Sequence, residues 1–521
     1  VDTLKQKHFS NPPLSYWIDS TSQPAFPTLE SDISVDIAVV GGGISGIFTA
    51  YLLNQPGIRI AVLEADEILK GTTGHTTAKI TSQHGLIYHK IKTQMSEEFA
   101  KQYAEANETA IRKIQSTIEK HSIDCDFIQQ CAFDYTLQDK YVSKIQDEVE
   151  TAASLGIKAT YLDHIPLPFP VKAAIRFDDQ AQFHPRKFLL SIAEHISKNG
   201  VDIYEHTRIV DIEDHGRYTL TSKDGRRVSA EKVIIASHYP FYNKPAFYFA
   251  RIYPERSYVV AVKAKENYPG GMYITAEEPG RSLRSQITDQ GELILVGGEH
   301  HKTGQGEDMV NHYEKLIDFA CDTFTVEHIP YRWSTQDCMT LDDIPFVGHF
   351  TAKSSNIYIA TGYGKWGMTN SIASAMLLSD LILKGASPWQ DVYSPSRHTI
   401  ASSAKNFVVE NLNVAGKIMQ GKFAPLPNDV DVIRDEAKIY ESNGQRYGAY
   451  RDMNDILHVI DTTCPHMGCE LFWNSAEKTW DCPCHGSRFT YDGDIIDGPA
   501  IDPLNVNRNV NPIEKLLKDK F

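Results

Sequence analysis

Cys464, His466, Cys482 and His485 have the types and the spacing to hold a metal centre. The chain reads CPHMGC at 464–469 and CPCHGS at 482–487, so a Cys-x-His pair is followed, after 15 intervening residues, by Cys-x-x-His. Two loops that each supply one thiolate and one imidazole suit a 2Fe-2S cluster in which two histidines replace two cysteines on one iron. Zinc is the alternative, since two Cys and two His also complete a tetrahedral site. Both loops, however, carry Gly, Pro and a second cysteine, which zinc does not require. The other four cysteines, Cys125, Cys131, Cys321 and Cys338, are scattered and read as small buried apolar residues.

A second constellation lies near the amino end. Gly41, Gly43 and Gly46 form GxGxxG after the apolar run 34–40, and Ile44 and Ser45 open a helix. The glycines allow a tight turn, close approach of a pyrophosphate and close helix packing, while the helix amino end favours phosphate charge. Glu64 ends the next apolar run, 58–63, where an acid can bind ribose hydroxyls. Together these residues predict an adenine dinucleotide, FAD or NAD. Far along the chain, Gly362, Gly364, Lys365, Trp366 and Gly367 lie between the strand-like run 356–360 and the helical pattern 371–383. Such a turn lets backbone approach a planar ring, and a helix amino end stabilises negative charge on it.

These patches carry two resemblances. Residues 34–385 resemble the FAD-dependent D-amino-acid oxidase-like family, which includes glycine oxidase, sarcosine oxidase and dimethylglycine dehydrogenase. The matching stretches are GTTGHTTAK at 71–79, QAQFHP at 180–185, VDIYEHTRI at 201–209, MTLDDIPFVG at 339–348 and ATGYGKWG at 360–367. The resemblance implies FAD, held with help from Thr72, Thr73, His75, Thr76, Thr77 and Ile209. It leaves open whether His75 is attached covalently to the flavin, as its counterpart is in dimethylglycine dehydrogenase, or makes a noncovalent contact. It also places Tyr253, Arg256, Tyr258, Arg281, Arg284, Tyr363, Lys365 and Trp366 in segments bordering the substrate, where an arginine could pair a carboxylate. No catalytic base is identified.

Residues 464–500 resemble the Rieske proteins of cytochrome bc complexes. That resemblance implies a disulfide between Cys469 and Cys484, a hydrogen bond from Ser487 to a bridging sulfide, and a covering loop at Gly498-Pro499-Ala500. A disulfide is unusual in the cytosol, but burial beside a cluster could protect it. Where high-potential members have a tyrosine donating to a ligand sulfur, this chain has Phe489. The missing hydrogen bond predicts a potential in the intermediate or lower part of the Rieske span of roughly -150 to +300 mV.

The elements that must position these groups follow from pattern. The run 34–40, the glycine turn, a helix and the run 58–63 make a strand-helix-strand unit. Residues 96–121 predict a long surface helix, with Glu97 and Glu98 at its amino end and Lys120 and His121 at its carboxyl end. Short β-like runs at 201–204, 233–236, 258–262 and 293–296 predict an inserted antiparallel sheet. Val408, Leu412, Ala415 and Met419 form an apolar stripe at helical spacing, expected to pack between domains. The expected class is α/β plus β: an arm at 1–33, an FAD-binding Rossmann-like domain with an inserted antiparallel-sheet substrate domain at 34–385, a linker with an amphipathic helix at 386–428, and a small all-β Rieske domain at 429–521.

With 521 residues the chain is too long for one ordinary core. Its net charge of -15 provides no basic field for nucleic acid. Residues 421–521 hold 11 Lys and Arg against 17 Asp and Glu, making this end acidic too. With no secretory pattern at the amino end and no run of some 18 apolar residues, a soluble cytoplasmic protein without a transmembrane segment is expected. The predicted activity is oxidation of an amine or amino acid by hydride transfer to flavin, with electrons leaving singly through the cluster to an external acceptor such as a ferredoxin or quinone. An NAD(P)H-dependent reductase is the alternative, although 250–304 lacks the second GxGxxG it would need. A redox sensor without turnover is a third reading.

Overall fold

The computed structural model describes residues 12–242, 246–306, 308–397, 400–423, 425–427, 431–442 and 444–505. The chain divides into two compact units. One runs to His300 and resumes over Asn311–Phe407, while the other comprises His301–Val310 and the residues from Val408 onward.

The first unit contains two sheets. Strand Ile33–Val40 lies inside an eight-stranded sheet, parallel to Ile60–Leu63 on one side and to Arg227–Ile235 on the other. Parallel strands buried on both faces read as continuous apolar runs rather than as alternation, and Ile60–Leu63 is buried at every position. Runs 201–204 and 233–236 were expected in the inserted sheet, but Val201–Tyr204 pairs in parallel with Ile60–Leu63, and 233–235 pairs in parallel with both Ile33–Val40 and Ile357–Thr361. An isolated short apolar run carries no record of which sheet it joins.

The runs 258–262 and 293–296 do lie in the second, nine-stranded sheet, within Ile252–Ala264 and Gly291–Lys302. In this sheet Ile252–Ala264 runs antiparallel to Val326–Thr340, Arg281–Thr288 to Gly291–Lys302 and Ile128–Thr136 to Ala173–Gln182, whereas Met272–Thr275 runs parallel to Ile128–Thr136. Helix Glu97–His121 begins where its cap predicts, the Ser96 hydroxyl accepting from the Phe99 N–H. One face of this helix, including Ala100, Tyr103, Ala106, Ala110 and Ile114, is buried in the main core.

The second unit holds two small antiparallel sheets. Glu436–Ser442, Gln445–Arg451 and Leu457–Asp461 form one, and Phe472–Asn474, Thr479–Asp481, Arg488–Thr490 and Ile495–Asp497 the other. Helix Ile400–Phe423 sends Val414 and Ile418 against this unit's core. The stripe read from sequence faces the other way: Val408, Leu412, Ala415 and Met419 are exposed, Leu412 at 66% and Met419 at 62%. Both stripes have helical period, so tertiary contacts alone choose between them. Among the described residues, no helix is long and apolar enough to cross a membrane.

Candidate functional site

Two groups of residues, one in each unit, have the form of cofactor sites. In the first, Gly41 takes φ +111°, and a Cβ there would lie 2.4 Å from the Ala236 carbonyl oxygen. A Cβ on Gly46 would lie 1.9 Å from the Gly41 carbonyl oxygen, so only glycine lets helix Ile44–Leu53 start this close to the strand. Gly43 is its N-cap and supplies no side-chain hydrogen bond. Thr73 instead accepts from the Ile44 N–H at 3.1 Å. At the end of the next strand, the Glu64 carboxylate accepts from the N–H groups of Gly42 at 2.7 Å and Asp66 at 3.0 Å. Burial raises its pKa against those hydrogen bonds. A glycine cradle, a helix amino end and a carboxylate on the following strand fit a dinucleotide. Ile209, at the start of strand Ile209–Asp214, is buried in the core of this sheet.

The loop at 71–79 is fastened by its backbone. Trp17 Nε1 donates to the Thr76 carbonyl at 2.7 Å, and Trp333 Nε1 to that of His75 at 2.9 Å. Arg284, fully buried, donates to the carbonyls of Thr77 and Ala78 at 3.2 and 2.9 Å. The Thr72 hydroxyl lies 3.3 Å from the Gln336 carbonyl, and His75 Nδ1 lies 2.9 Å from the Gly71 carbonyl. The distant glycine turn meets the first patch directly, through a 2.7 Å hydrogen bond from the Ser45 hydroxyl to Tyr363. Gly362 and Gly364 have φ +77° and +55°, and Trp366 precedes helix Gly367–Lys384. Lys365 pairs with Glu255 at 3.0 Å.

The expected substrate-side arginines are already engaged. Arg281 pairs with Glu299 at 2.7 Å, Arg284 holds the loop carbonyls just described, and Arg256 donates to Ser334. Tyr258 stacks on His312 at 5.0 Å, and Tyr253 is half-buried on the same strand. Glu255 lies opposite Asp337 in strand register, and the Ser257 hydroxyl donates to Asp337 at 2.5 Å.

Two residues in this neighbourhood escaped the sequence reading. Lys79, the last residue of the matched loop motif, donates to the Tyr273 carbonyl at 2.7 Å and to the Ser282 hydroxyl at 2.6 Å. Burial first, then the Arg284 charge, lower its pKa to about 7. His84 stacks on Trp366 at 5.0 Å and has Tyr103 and Thr81 as ring-nitrogen partners, both at 2.7 Å. Burial lowers it to about 3 and keeps it neutral. For Lys79 a signal was present, as the single amine of a loop motif, whereas nothing local distinguishes His84.

In the second unit, two loops repeat one design. The Gly468 N–H donates to the Cys464 carbonyl at 2.9 Å and the Gly486 N–H to that of Cys482 at 3.0 Å. Both glycines have φ near +75° (+73° and +76°), which lets each loop turn back four residues after its cysteine. Cys464, Cys482 and His485 are buried, His466 is half-buried, and the two imidazole centroids are 5.0 Å apart. Burial holds His466 down at about 4 and His485 at about 3, the neutral forms that ligate metal. Cys464 is lowered to about 7, first by a side-chain hydrogen bond with Cys482, whose own pKa is raised. The donor set of two sulfurs and two imidazoles on paired loops fits a mixed-ligand cluster.

Cys469 and Cys484 form a disulfide that joins the loops, with Cα atoms 6.5 Å apart. Their sulfurs lie within 4.8 Å of that of Cys482 but are committed to each other. The Ser487 hydroxyl is hydrogen-bonded to Cys464 and accepts from the Ala500 N–H at 3.0 Å, which ties 498–500 to the site. Phe489 is fully buried opposite Trp480.

Comparison with known proteins finds a family for each of the two groups of residues. Residues 36–381 match the model of the FAD dependent oxidoreductase family, and residues 423–508 match that of the Rieske 2Fe-2S domain. A putative Rieske 2Fe-2S iron-sulfur protein of Bacillus subtilis, YhfW, is 42% identical over 96% of this chain and 99% of its own. The gamma-glutamylputrescine oxidoreductase of Escherichia coli is 23% identical over 74% of this chain and 92% of its own. Among solved structures, glycine oxidase from Geobacillus kaustophilus superposes with a TM-score of 0.59 at 17% identity, covering 70% of this chain and 99% of its own, a likeness of fold.

Proposed function

Since the chain belongs to the FAD dependent oxidoreductase family and carries a C-terminal Rieske 2Fe-2S domain, we propose that it is a dehydrogenase oxidising the carbon beside an amine nitrogen and delivering electrons one at a time to an external acceptor. FAD, when bound, accepts two electrons as hydride, and a 2Fe-2S cluster exchanges them singly. The observation that carries the reading is the presence in one chain of a dinucleotide cradle and a Cys2His2 pair of loops. Amine chemistry draws support from the relatives, one of which is named for gamma-glutamylputrescine and another for glycine.

On this reading, Cys464, Cys482, His466 and His485 would hold the cluster. Gly41, Gly43, Ile44, Ser45 and Gly46 receive the pyrophosphate, Glu64 the ribose and Ile209 the adenine side. Thr72, Thr73, His75, Thr76 and Thr77 of one loop, and Gly362, Gly364, Lys365, Trp366 and Gly367 of the later turn, would hold the flavin. Arg284 keeps the first of these loops in place through its carbonyls, and the Ser45 to Tyr363 hydrogen bond keeps the two patches in one arrangement. His84 backs the Trp366 ring as a neutral stacking partner. We likewise propose an external acceptor such as a ferredoxin or quinone, and a cytoplasmic location.

The test is anaerobic. Amines and amino acids, and separately NADH and NADPH, are added to the holoprotein while flavin absorbance and the EPR signal of the reduced cluster are followed. An amine or amino acid should bleach the flavin, and the cluster signal should then rise. Bleaching by pyridine nucleotides alone would make the protein a reductase, and bleaching by none of them a redox sensor.

A further inference from the structure

The segment His301–Val310 comes from the middle of the chain, running from the end of strand Gly291–Lys302 to the start of helix Met309–Thr323, yet it belongs to the compact unit that carries the cluster loops. Gly304 is buried with φ +67°, and a Cβ there would lie 2.7 Å from the Pro483 nitrogen and 2.9 Å from the Cys482 carbonyl carbon. Backbone therefore rests directly on the Cys482–Pro483 peptide. The Gln305 side-chain amide donates twice, to the Pro483 carbonyl at 3.1 Å and to Asn413 Oδ1 on helix Ile400–Phe423 at 2.8 Å. Lys302 pairs with Glu410 of the same helix, adding a second tie.

The Pro483 carbonyl and the Cys484 N–H belong to one trans peptide, so they point in opposite directions. The carbonyl faces Gln305. On the other side, the N–H groups of Cys484 and His485 are hydrogen-bonded to the Cys482 sulfur. Hydrogen bonds to a ligand sulfur stabilise the reduced, more negative cluster. We infer that Gln305 is a positioning residue for the cluster: by holding the Pro483 carbonyl it aims the Cys484 N–H at the Cys482 sulfur and keeps the potential up. The inference rests on Cys482 being a cluster ligand and not on the identity of the substrate.

The experiment is an EPR-monitored redox titration of full-length holoprotein, reduced chemically through mediators so that no substrate is needed. Gln305→Leu has nearly the same volume without the donor, and Gln305→Glu keeps the shape while replacing the donor amide by an acceptor. With FAD content unchanged, both variants should titrate lower than wild type, with altered g-values. At a fixed potential the reduced-to-oxidised ratio should fall about three- to tenfold, tenfold being about 59 mV for one electron. Loss of the cluster with FAD retained would also support the inference, because the fault would then be confined to the loop. Wild-type potential and g-values in either variant would overturn it. So would loss of both cofactors, which would make Gln305 a general folding residue.

Discussion

Gly46 and Lys79 show how single residues hold the flavin-side unit together. A methyl group on Gly46 has nowhere to go, because the atom 1.9 Å from it is backbone oxygen rather than a movable side chain. Gly46→Ala should therefore push helix Ile44–Leu53 off its strand and cost the protein its FAD, read as loss of flavin absorbance after desalting with the cluster spectrum retained. Lys79 makes a statement about pH. Its folded pKa of about 7 lies below the ordinary lysine value of roughly 10.4, so between these values the unfolded chain binds the extra proton. Stability then rises as pH climbs from about 7 towards 10, by up to about 1.4 kcal/mol per unit from this group. In Lys79→Met that contribution should vanish, which denaturant melts at several pH values would detect as a flatter profile.

At the scale of elements, the two cluster loops act as a pair. Each is closed by a glycine N–H four residues after its cysteine, and the Cys469–Cys484 disulfide joins one to the other. The bridge spans 15 residues. In the chain-entropy account a bridge closing a loop of this size contributes about 3 kcal/mol. Replacing both cysteines with serine should leave the four proposed ligands present but lower the temperature at which the visible cluster spectrum is lost, while flavin release is unchanged. Equal cluster and flavin behaviour in wild type and variant would remove the disulfide from any account of the cluster's stability. Elements also mark where sequence reading reached its limit. The stripe Val408, Leu412, Ala415 and Met419 has the right period for a packing face, yet Val414 and Ile418 are the residues that pack. A 24-residue helix that is moderately apolar all round offers several faces, and only its neighbours select one.

For the whole molecule, the sequence alone determined the cofactor classes, FAD and a Rieske 2Fe-2S cluster. Cysteine and histidine at metal-ligand spacing, and glycines where a side chain would collide with backbone, are local demands that must be met by adjacent residues, so they are written within a few positions of one another. The overall class was legible for the same reason: a strand, glycine turn, helix and strand make one contiguous unit. What only the tertiary structure decided were relations between distant residues. These include the assignment of 201–204 and 233–235 to the parallel sheet, the engagement of Arg281 and Arg284 with partners inside the protein, and the stacking of His84 on Trp366. The placing of Gln305 against a cluster loop 178 residues away belongs with them. Side-chain type states what a residue can bond to, but burial and long-range pairing settle which partner it meets, and those depend on the path of the whole chain.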